Sequence, residues 1–171
     1  TSSEGVSPRL LLSYEANDNV TVNAQASKGF RLGGVNDPLN LPLCNPQDEA
    51  LFGGFQSYDD ETLWNYELGV KTQGRGFTFN AAGFYNDISN LQVTLDAGSC
   101  SSRVVFNVPK AHTMGVEAEL GFQPTDGLDL SLSGSYVQAE FDSTLPEPLA
   151  TSTGIREGNR LPTVPKFQMA A

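Results

Sequence analysis

Residues 113–141, TMGVEAELGFQPTDGLDLSLSGSYVQAEF, alternate between apolar and polar side chains over two successive segments. In the first segment Val116 has one parity and Glu117 the other, and the pattern restarts after the turn-like sequence PTDG. Because successive side chains of a β-strand point to opposite faces, the pattern predicts a hairpin with one apolar and one polar face. The apolar face would be the core of a soluble sandwich, but in a membrane barrel it would face lipid while the polar face lined the lumen.

The same alternation marks further strands, and several of the connections between them are short and polar. The segments 17–19, 73–76 and 124–127 are rich in Asn, Asp and Gly, which is typical of tight hairpin turns. The predicted strands are 7–16, 20–32, 61–73, 76–95, 103–123 and 128–142, with a seventh starting near 159.

Longer connections at 33–60, 96–102 and 143–158 alternate strictly with the short turns. An outer-membrane barrel has short turns on one rim and long loops on the other, whereas a Greek-key sandwich has no reason to sort its loops in this way. Several predicted strands exceed the ~5–6 residues usual in soluble proteins and reach the ~9–11 residues that span a membrane. The sequence therefore predicts an all-β fold, an antiparallel up-and-down transmembrane β-barrel segment of about seven strands.

On this interpretation Val116 and Leu130 face lipid, and Glu117 and Ser131 face the lumen. Aromatic side chains near the ends of lipid-facing strands are candidates for the girdles that mark the membrane interfaces, although ordinary strand aromatics in a core are the alternative. These candidates are Phe30, Trp64, Tyr66, Tyr85, Phe106 and Tyr136.

The two cysteines, Cys44 and Cys100, both lie in long connections that the turn pattern assigns to the external rim. A zinc site would need three or four ligands, and the chain's one histidine, His112, leaves too few. A disulfide in an oxidising compartment is the favoured interpretation, and two unrelated free thiols are the alternative. Such a bridge would require the loop 33–60 to fold over the loop 96–102, which would hold Phe55 and Tyr58 near the barrel mouth.

The charge balance limits the possible partners. With 10 basic and 20 acidic residues among 171, the formal net charge of −10 argues against nucleic acid or an anionic membrane surface. We therefore expect no nucleic-acid partner.

Five motifs in succession resemble the barrel of TonB-dependent outer-membrane receptors. The most similar stretches are the SKGFR strand end, the strand containing ET and YELGVK, the GVEAE strand and the GNRLP segment that is followed by PK. The longer segments that carry the resemblance are NVTVNAQASKGFRLGG, YDDETLWNYELGVKT, FNAAGFYNDISNLQV, NVPKAHTMGVEAEL and GNRLPTVPKF.

The resemblance implies a barrel of about 22 strands closed by a plug, in the outer membrane of a Gram-negative bacterium. It also implies uptake of a scarce ligand, most often a ferric siderophore, with energy from the inner-membrane TonB complex. The partners implied are outer-membrane lipid, the ligand, and TonB through an N-terminal region. We expect residues 1–171 to be a partial barrel domain without the plug, a fragment of a longer protein.

The motifs that might carry chemistry point to no catalytic site. GFRLGG ends a strand without a following helix to bind phosphate. No motif places Ser and Asp beside His112, so a structural or interfacial histidine is favoured over a catalytic one. The acidic segment 58–61, YDDE, lacks the spacing of a calcium loop and is expected to be a solvated loop end. We expect no enzyme activity, cofactor or metal site.

Ligand selectivity is expected at the external mouth. An arginine there suits an anionic ferric siderophore. The candidate ligand-binding residues are Arg31, Phe55, Tyr58, Asp59 and Arg103. The alternatives are a passive porin-type channel or barrel enzyme, and a soluble extracellular β-sandwich binding module.

Overall fold

The computed structural model describes residues 5–171 and contains one seven-stranded sheet with the strands in the order β1-β2-β5-β6-β7-β8-β9. The strands of this sheet are β1 (Arg9–Asn17), β2 (Val20–Arg31), β5 (Glu61–Gly74), β6 (Phe77–Asp96), β7 (Arg103–Thr125), β8 (Leu128–Phe141) and β9 (Phe167–Ala170). The short strands β3 (Gly34–Val35) and β4 (Ser57–Tyr58) form a separate two-stranded sheet.

Every strand of the large sheet pairs antiparallel with the next large strand along the chain, which confirms the predicted meander. Two of the short turns end in a glycine that adopts a left-handed backbone conformation, with φ of 72° at Gly76 and 84° at Gly127. Glycine populates this region without the steric cost of a Cβ atom, so both hairpins close tightly.

The pairing register places most of the exposed apolar side chains of the seven strands on one face. Val116 is opposite Gly83 on β6 and Tyr136 on β8, and Tyr136 is opposite Phe167 on β9. Many side chains on this outward face are exposed in the sheet, including Val116 at 58% and Leu130 at 51%. Other exposed members are Leu10, Leu12, Tyr14, Tyr66, Leu68, Tyr85, Met114, Leu120, Phe122, Leu132 and Met169. A face of this kind is the lipid-contacting surface of a membrane barrel.

The opposite, inner face carries a continuous row of side-chain hydrogen bonds across five strands. The Arg9 guanidinium on β1 donates to the Gln25 amide oxygen (Nη2–Oε1 2.6 Å), and the Gln25 amide donates to Asn65 on β5 (3.3 Å). Asn65 donates in turn to Asn86 on β6 (2.8 Å), which donates to the hydroxyl of Thr113 on β7 (2.8 Å). This amide row satisfies polar groups on the predicted lumen side and ties neighbouring strands together.

A row of charged side chains lies on the outward face of the sheet, nearer to the long loops than the exposed aromatic residues. His112 is in register with Asp87, and its Nδ1 lies 2.7 Å from Asp142 Oδ1. The imidazole also stacks on Tyr85 with 5.8 Å between ring centroids. Lys110 Nζ lies 3.7 Å from Asp87 Oδ1. His112 is therefore held between Tyr85 and Asp142 on the outward side of the sheet.

The seventh strand begins at Phe167 rather than near 159. The chain already contacts β8 before β9 begins. Arg160 forms an isolated bridge with Glu140, and the Leu161 N–H donates to the Ala139 carbonyl (2.8 Å). The pairing then stops, since the intervening segment contains Pro162 and Pro165, which have no N–H to donate, and a Thr163 with φ of 65°.

The long connections contain short helices and share one buried apolar cluster. The first loop (32–60) contains α1 (Pro46–Phe52), and the third loop (142–166) contains α2 (Leu149–Thr153). The second loop (97–102) is a single turn of 3₁₀ helix, Gly98–Cys100. The cluster includes residues from all three loops and from the upper part of β7.

The prediction that Phe106 belongs to an interfacial aromatic girdle is wrong. Phe106 is 2% exposed and packs in the cluster beneath the loops. Its strand continues beyond the end of β8, so this part of β7 is covered by loop residues instead of lipid. Phe30, Tyr66, Tyr85 and Tyr136 remain exposed on the sheet.

Within the described residues, no helix has the length and apolar character required to cross a membrane.

The two faces should respond differently to charge. In the full-length protein, Val116→Arg should impair assembly into the outer membrane, at a cost of about 2–4 kcal/mol if the site lies near the bilayer midplane. The neighbouring inner-face substitution Glu117→Gln is the matched control and should assemble normally. Heat-modifiable electrophoretic mobility of membrane fractions measures assembly, and equal tolerance of the two changes would contradict the assignment of the faces.

Candidate ligand-binding loops

A disulfide joins the first and second loops. Cys44 and Cys100, separated by 56 positions, are bonded with an S–S distance of 2.18 Å. Cys44 follows the 3₁₀ turn Leu41–Leu43, and Cys100 is completely buried in the shared apolar cluster. The first loop therefore lies against the second.

Asp48 reinforces this connection. Its Oδ2 accepts hydrogen bonds from the Ser99 hydroxyl (2.6 Å), the Ser99 backbone N–H (2.8 Å) and the Asn45 amide (2.9 Å). Asn45 is the N-cap of α1, and its side chain accepts from the Asp48 N–H (2.8 Å). The hydrogen bonds from Ser99 favour the ionised carboxylate and hold the pKa of Asp48 below its ordinary value of 3.8.

Two asparagine side chains anchor the first loop on the upper part of β7. The Asn36 amide donates to the Val105 carbonyl (2.7 Å) and its Oδ1 accepts from the Val105 N–H (2.9 Å), so it pairs with β7 as a neighbouring strand would. Asn107 accepts from the Asp59 N–H (2.7 Å) and donates to the Asp59 carbonyl (3.0 Å). Because β8 ends before it reaches this part of β7, Asn36 occupies a strand edge that would otherwise be unpaired at Val105.

Arg31 and Asp59 both form hydrogen bonds with Gln92 on β6. Arg31 Nη2 forms an ion pair with Glu61 Oε2 (2.8 Å) and donates to the Gln92 carbonyl (2.9 Å). The Gln92 amide donates to the carbonyls of Asp59 (3.0 Å) and Leu32 (3.0 Å). The Arg31 side chain remains 55% exposed, so the same guanidinium that closes the base of the first loop is accessible to an anion.

The acidic segment 58–61 is used to fold the loop. Asp60 Oδ1 accepts from the Gly33 N–H (2.6 Å), and Glu61 accepts from the Gln92 N–H (2.7 Å) as well as from Arg31. Among residues 5–171, no group of three or more His, Cys, Asp or Glu side chains has a metal-binding arrangement.

Tyr58 packs directly on the glycine pair at the end of GFRLGG. A Cβ atom on Gly34 would lie 2.6 Å from the Tyr58 hydroxyl, and one on Gly33 would clash with the Tyr58 carbonyl oxygen. The glycines thus permit the close approach of β3 and β4 that returns the loop to the sheet.

Phe55 and Arg103 lie in different surroundings from Arg31. Phe55 stacks on Phe106 with 4.9 Å between ring centroids and an interplanar angle of 28°. Arg103 begins β7 and pairs with Asp96 (Nε–Oδ1 3.0 Å), with the two side chains 77% and 79% exposed. The structure therefore groups Arg31, Tyr58 and Asp59, and places Phe55 and Arg103 in separate settings.

A cleft of about 590 Å³ separates the first loop from the third. Leu51 and Phe55 line one side, Leu145 and Leu149 line the other, and Phe106 on β7 also contributes. The polar lining residues include Gln47, Asn107 and Glu147. No local sequence pattern marks this cleft or the roles of Asn36, Gln92 and Asn107, because these features depend on partners far away in the chain.

The stabilisation that the Asp48–Ser99 hydrogen bonds give to the contact between the first and second loops should depend on pH. Because the pKa of Asp48 is lowered in the folded loop, its stabilising effect is present at neutral pH and is progressively lost as the pH falls below 3.8. At neutral pH, Asp48→Asn should accelerate reduction of the Cys44–Cys100 bond by a phosphine, and the ratio to the wild-type rate should approach one in acid. Glu49→Gln on the same helix is the control. A ratio that does not change with pH would contradict the role of the carboxylate.

Comparison with known proteins places these loops and the sheet in a family. The family model described as "TonB dependent receptor-like, beta-barrel" matches residues 1–171. The pesticin receptor of Yersinia enterocolitica is 29% identical over 159 residues, which is 93% of this chain and 21% of that protein. The pesticin receptor of Yersinia pestis is 26% identical over the same length.

Solved structures show the same fold. The ferric yersiniabactin uptake receptor FyuA from Yersinia pestis has a TM-score of 0.66 at 24% identity, covering 94% of this chain and 21% of that one. A variant of the ferric enterobactin receptor PfeA from Pseudomonas aeruginosa, in complex with enterobactin, has a TM-score of 0.54 at 26% identity, covering 81% and 22%. The chain thus spans about one fifth of these relatives. With a two-faced antiparallel sheet and a model match along its whole length, the chain belongs to the β-barrel family of TonB-dependent receptors.

Proposed function

We propose that residues 1–171 form part of the barrel wall and external loops of an outer-membrane receptor that takes up a ferric siderophore. The remaining strands, a plug and a TonB-contacting N-terminal region would come from the rest of a longer protein. The protein would lie in the outer membrane of a Gram-negative bacterium and draw energy from the TonB complex.

The observation that carries this proposal is the division of the sheet into an apolar outward face and a polar inner face, with all three folded loops at one end. The register supports a lipid boundary on one side and a polar passage on the other. The loops are stabilised by long-range hydrogen bonds and a disulfide, as suits a surface that must present ligand contacts in a defined geometry. Relatives named for uptake of ferric yersiniabactin and for ferric enterobactin support the ligand class.

In this proposal Arg31, Tyr58 and Asp59 form the rim that selects ligand, with Phe55 and Arg103 contributing from the adjoining loops. Arg31 and Arg103 expose 55% and 77% of their side chains, so both guanidinium groups are available to an anionic iron complex. Their existing carboxylate partners, Glu61 and Asp96, keep each arginine in place without ligand.

Energy-dependent uptake is the direct test. Deletion of the gene should abolish accumulation of a radiolabelled ferric siderophore in iron-starved cells, and the intact gene should restore it. A protonophore should stop the restored uptake, because TonB coupling uses the inner-membrane proton gradient. The two complexes named for the relatives, ferric yersiniabactin and ferric enterobactin, are the first ligands to measure. Uptake that persists with the protonophore would instead identify a passive channel, and uptake unchanged by deletion would refute transport of those ligands.

The arginine at the rim should affect ligand capture more than assembly. We expect Arg31→Gln to raise the half-saturating concentration of an anionic ferric siderophore about tenfold, equivalent to ~1.4 kcal/mol. Arg75→Gln, in the short turn at the opposite end of the sheet, is the matched control. Binding is measured with purified full-length receptor at two salt concentrations. An equal effect of the two substitutions would contradict the location of the binding rim.

The disulfide should also matter for capture. Cys44→Ser combined with Cys100→Ser should weaken ligand binding, because the freed first loop would lose more conformational entropy when ligand orders it. Barrel assembly should remain unchanged, since the bond lies outside the seven-stranded sheet. Parallel assays of binding and of heat-modifiable mobility separate the two effects, and loss of assembly would show that the bond has a folding role instead.

A further inference from the structure

The side chain of Gln92 on β6 binds both ends of the first loop. Its amide nitrogen lies 3.0 Å from the carbonyl oxygens of Leu32 and Asp59, which stand at the start and near the end of the loop (32–60). A glutamine amide has two N–H groups, so each of these carbonyls can accept one of them. The Arg31 carbonyl lies farther away, at 3.4 Å. One side chain therefore holds the two ends of the loop together on the sheet.

The backbone of Gln92 binds the Arg31–Glu61 ion pair. Its N–H donates to Glu61 Oε2 (2.7 Å), and its carbonyl accepts from Arg31 Nη2 (2.9 Å). The same Nη2 donates to Glu61 Oε2 (2.8 Å), so the two hydrogens of this nitrogen have one acceptor each. Among the described residues, no recorded hydrogen bond or ion pair uses Nε or Nη1 of Arg31. The guanidinium is thus held through one nitrogen, and its other N–H groups stay available to a ligand.

Asp59 is held through its backbone. Its N–H donates to Asn107 Oδ1 (2.7 Å), and its carbonyl accepts from the amides of Gln92 and Asn107 (3.0 Å each). Gln92 and Asn107 are opposite each other on β6 and β7, so two facing amides bind the same residue. Within residues 5–171 the Asp59 carboxylate itself has no recorded partner, and the residue is exposed.

We propose that Gln92 is a positioning residue for ligand capture, which keeps Arg31 and Asp59 together at the rim with their free polar groups exposed to the same ligand. The amide of Gln92 is used by the loop, so it acts through these two residues. A charged group whose position is already fixed loses less conformational entropy when ligand binds. The inference rests on the proposed function for the assumption that ligand arrives at this rim.

The positioning of Arg31 is tested without any siderophore, through its reactivity with phenylglyoxal, which modifies accessible guanidinium groups. The full-length receptor in lipid nanodiscs is labelled, and adducts are quantified by peptide mass spectrometry with Arg75 in the opposite short turn as internal reference. Gln92→Met preserves the length of the side chain but removes its N–H donors. We expect this change to accelerate labelling of Arg31 about threefold or more relative to Arg75, because the loop ends that carry the ion pair are released.

Asn36→Leu is the matched control, because it removes a different amide anchor of the same loop, the pair of bonds to Val105. It should leave the labelling of Arg31 close to the wild-type rate. An unchanged rate in Gln92→Met would refute the positioning role. An equal acceleration in both variants would refute it as well, since general loosening of the loop would then explain the result.

The effect on capture is tested by a double-mutant cycle with ferric yersiniabactin and ferric enterobactin as probes. Gln92→Met should raise the half-saturating concentration about three- to fivefold in the wild-type background and cause almost no further change in the Arg31→Gln background. Multiplicative effects of the two substitutions would show that Gln92 does not act through Arg31. If neither complex binds the wild-type receptor, the proposed ligand class fails, and the labelling result alone decides whether Gln92 positions Arg31.

Discussion

The pairing register of the seven-stranded sheet is the constraint on which the other features depend. Each strand places alternate side chains on opposite faces, so a slip of one residue of β8 against β7 would move Leu130 to the inner side while Val116 stayed outward. The hydrogen-bonded row from Arg9 through Gln25, Asn65 and Asn86 to Thr113 exists only in the observed register. Each polar contact on one face therefore supports the apolar surface on the other, and the tight turns at Gly76 and Gly127 limit how far the strands can slip.

Above the sheet, side-chain amides take over the role of neighbouring strands. The upper part of β7 extends beyond β8, and Asn36 satisfies both backbone groups of Val105 there. Gln92 and Asn107 bind the backbone of the returning first loop at Asp59. These contacts, with the Cys44–Cys100 bond, make the first two loops one fixed body. The third loop forms its polar contacts internally and meets the other two loops through apolar side chains of the shared core.

Much of the sheet was predictable because its signals are local. Alternation of period two identified six strands closely, and Asn, Asp and Gly marked the short turns. The seventh strand was placed too early because Arg160 and Leu161 do contact β8, whereas Pro162 and Pro165 then interrupt the ladder. Phe106 has the alternation of a strand aromatic, but it is buried by Phe55 and by other loop residues that lie far away in the chain. Of the candidate site residues, Arg31 and Asp59 meet through Gln92, a residue with no local pattern to single it out.

The sequence by itself determined which side chains share a face, where the hairpins turn and which connections are long, because these properties depend on residues within a few positions of each other. The tertiary structure decided what covers the upper part of β7, which loops are cross-linked to each other and where an apolar cleft opens. Those outcomes depend on contacts such as Asn36 with Val105 and Phe55 with Phe106, whose partners are brought together only when the strands between them pair. The polarity of a side chain determines whether it needs a hydrogen-bonding or an apolar partner, but only the folded chain determines which residue lies close enough to be that partner.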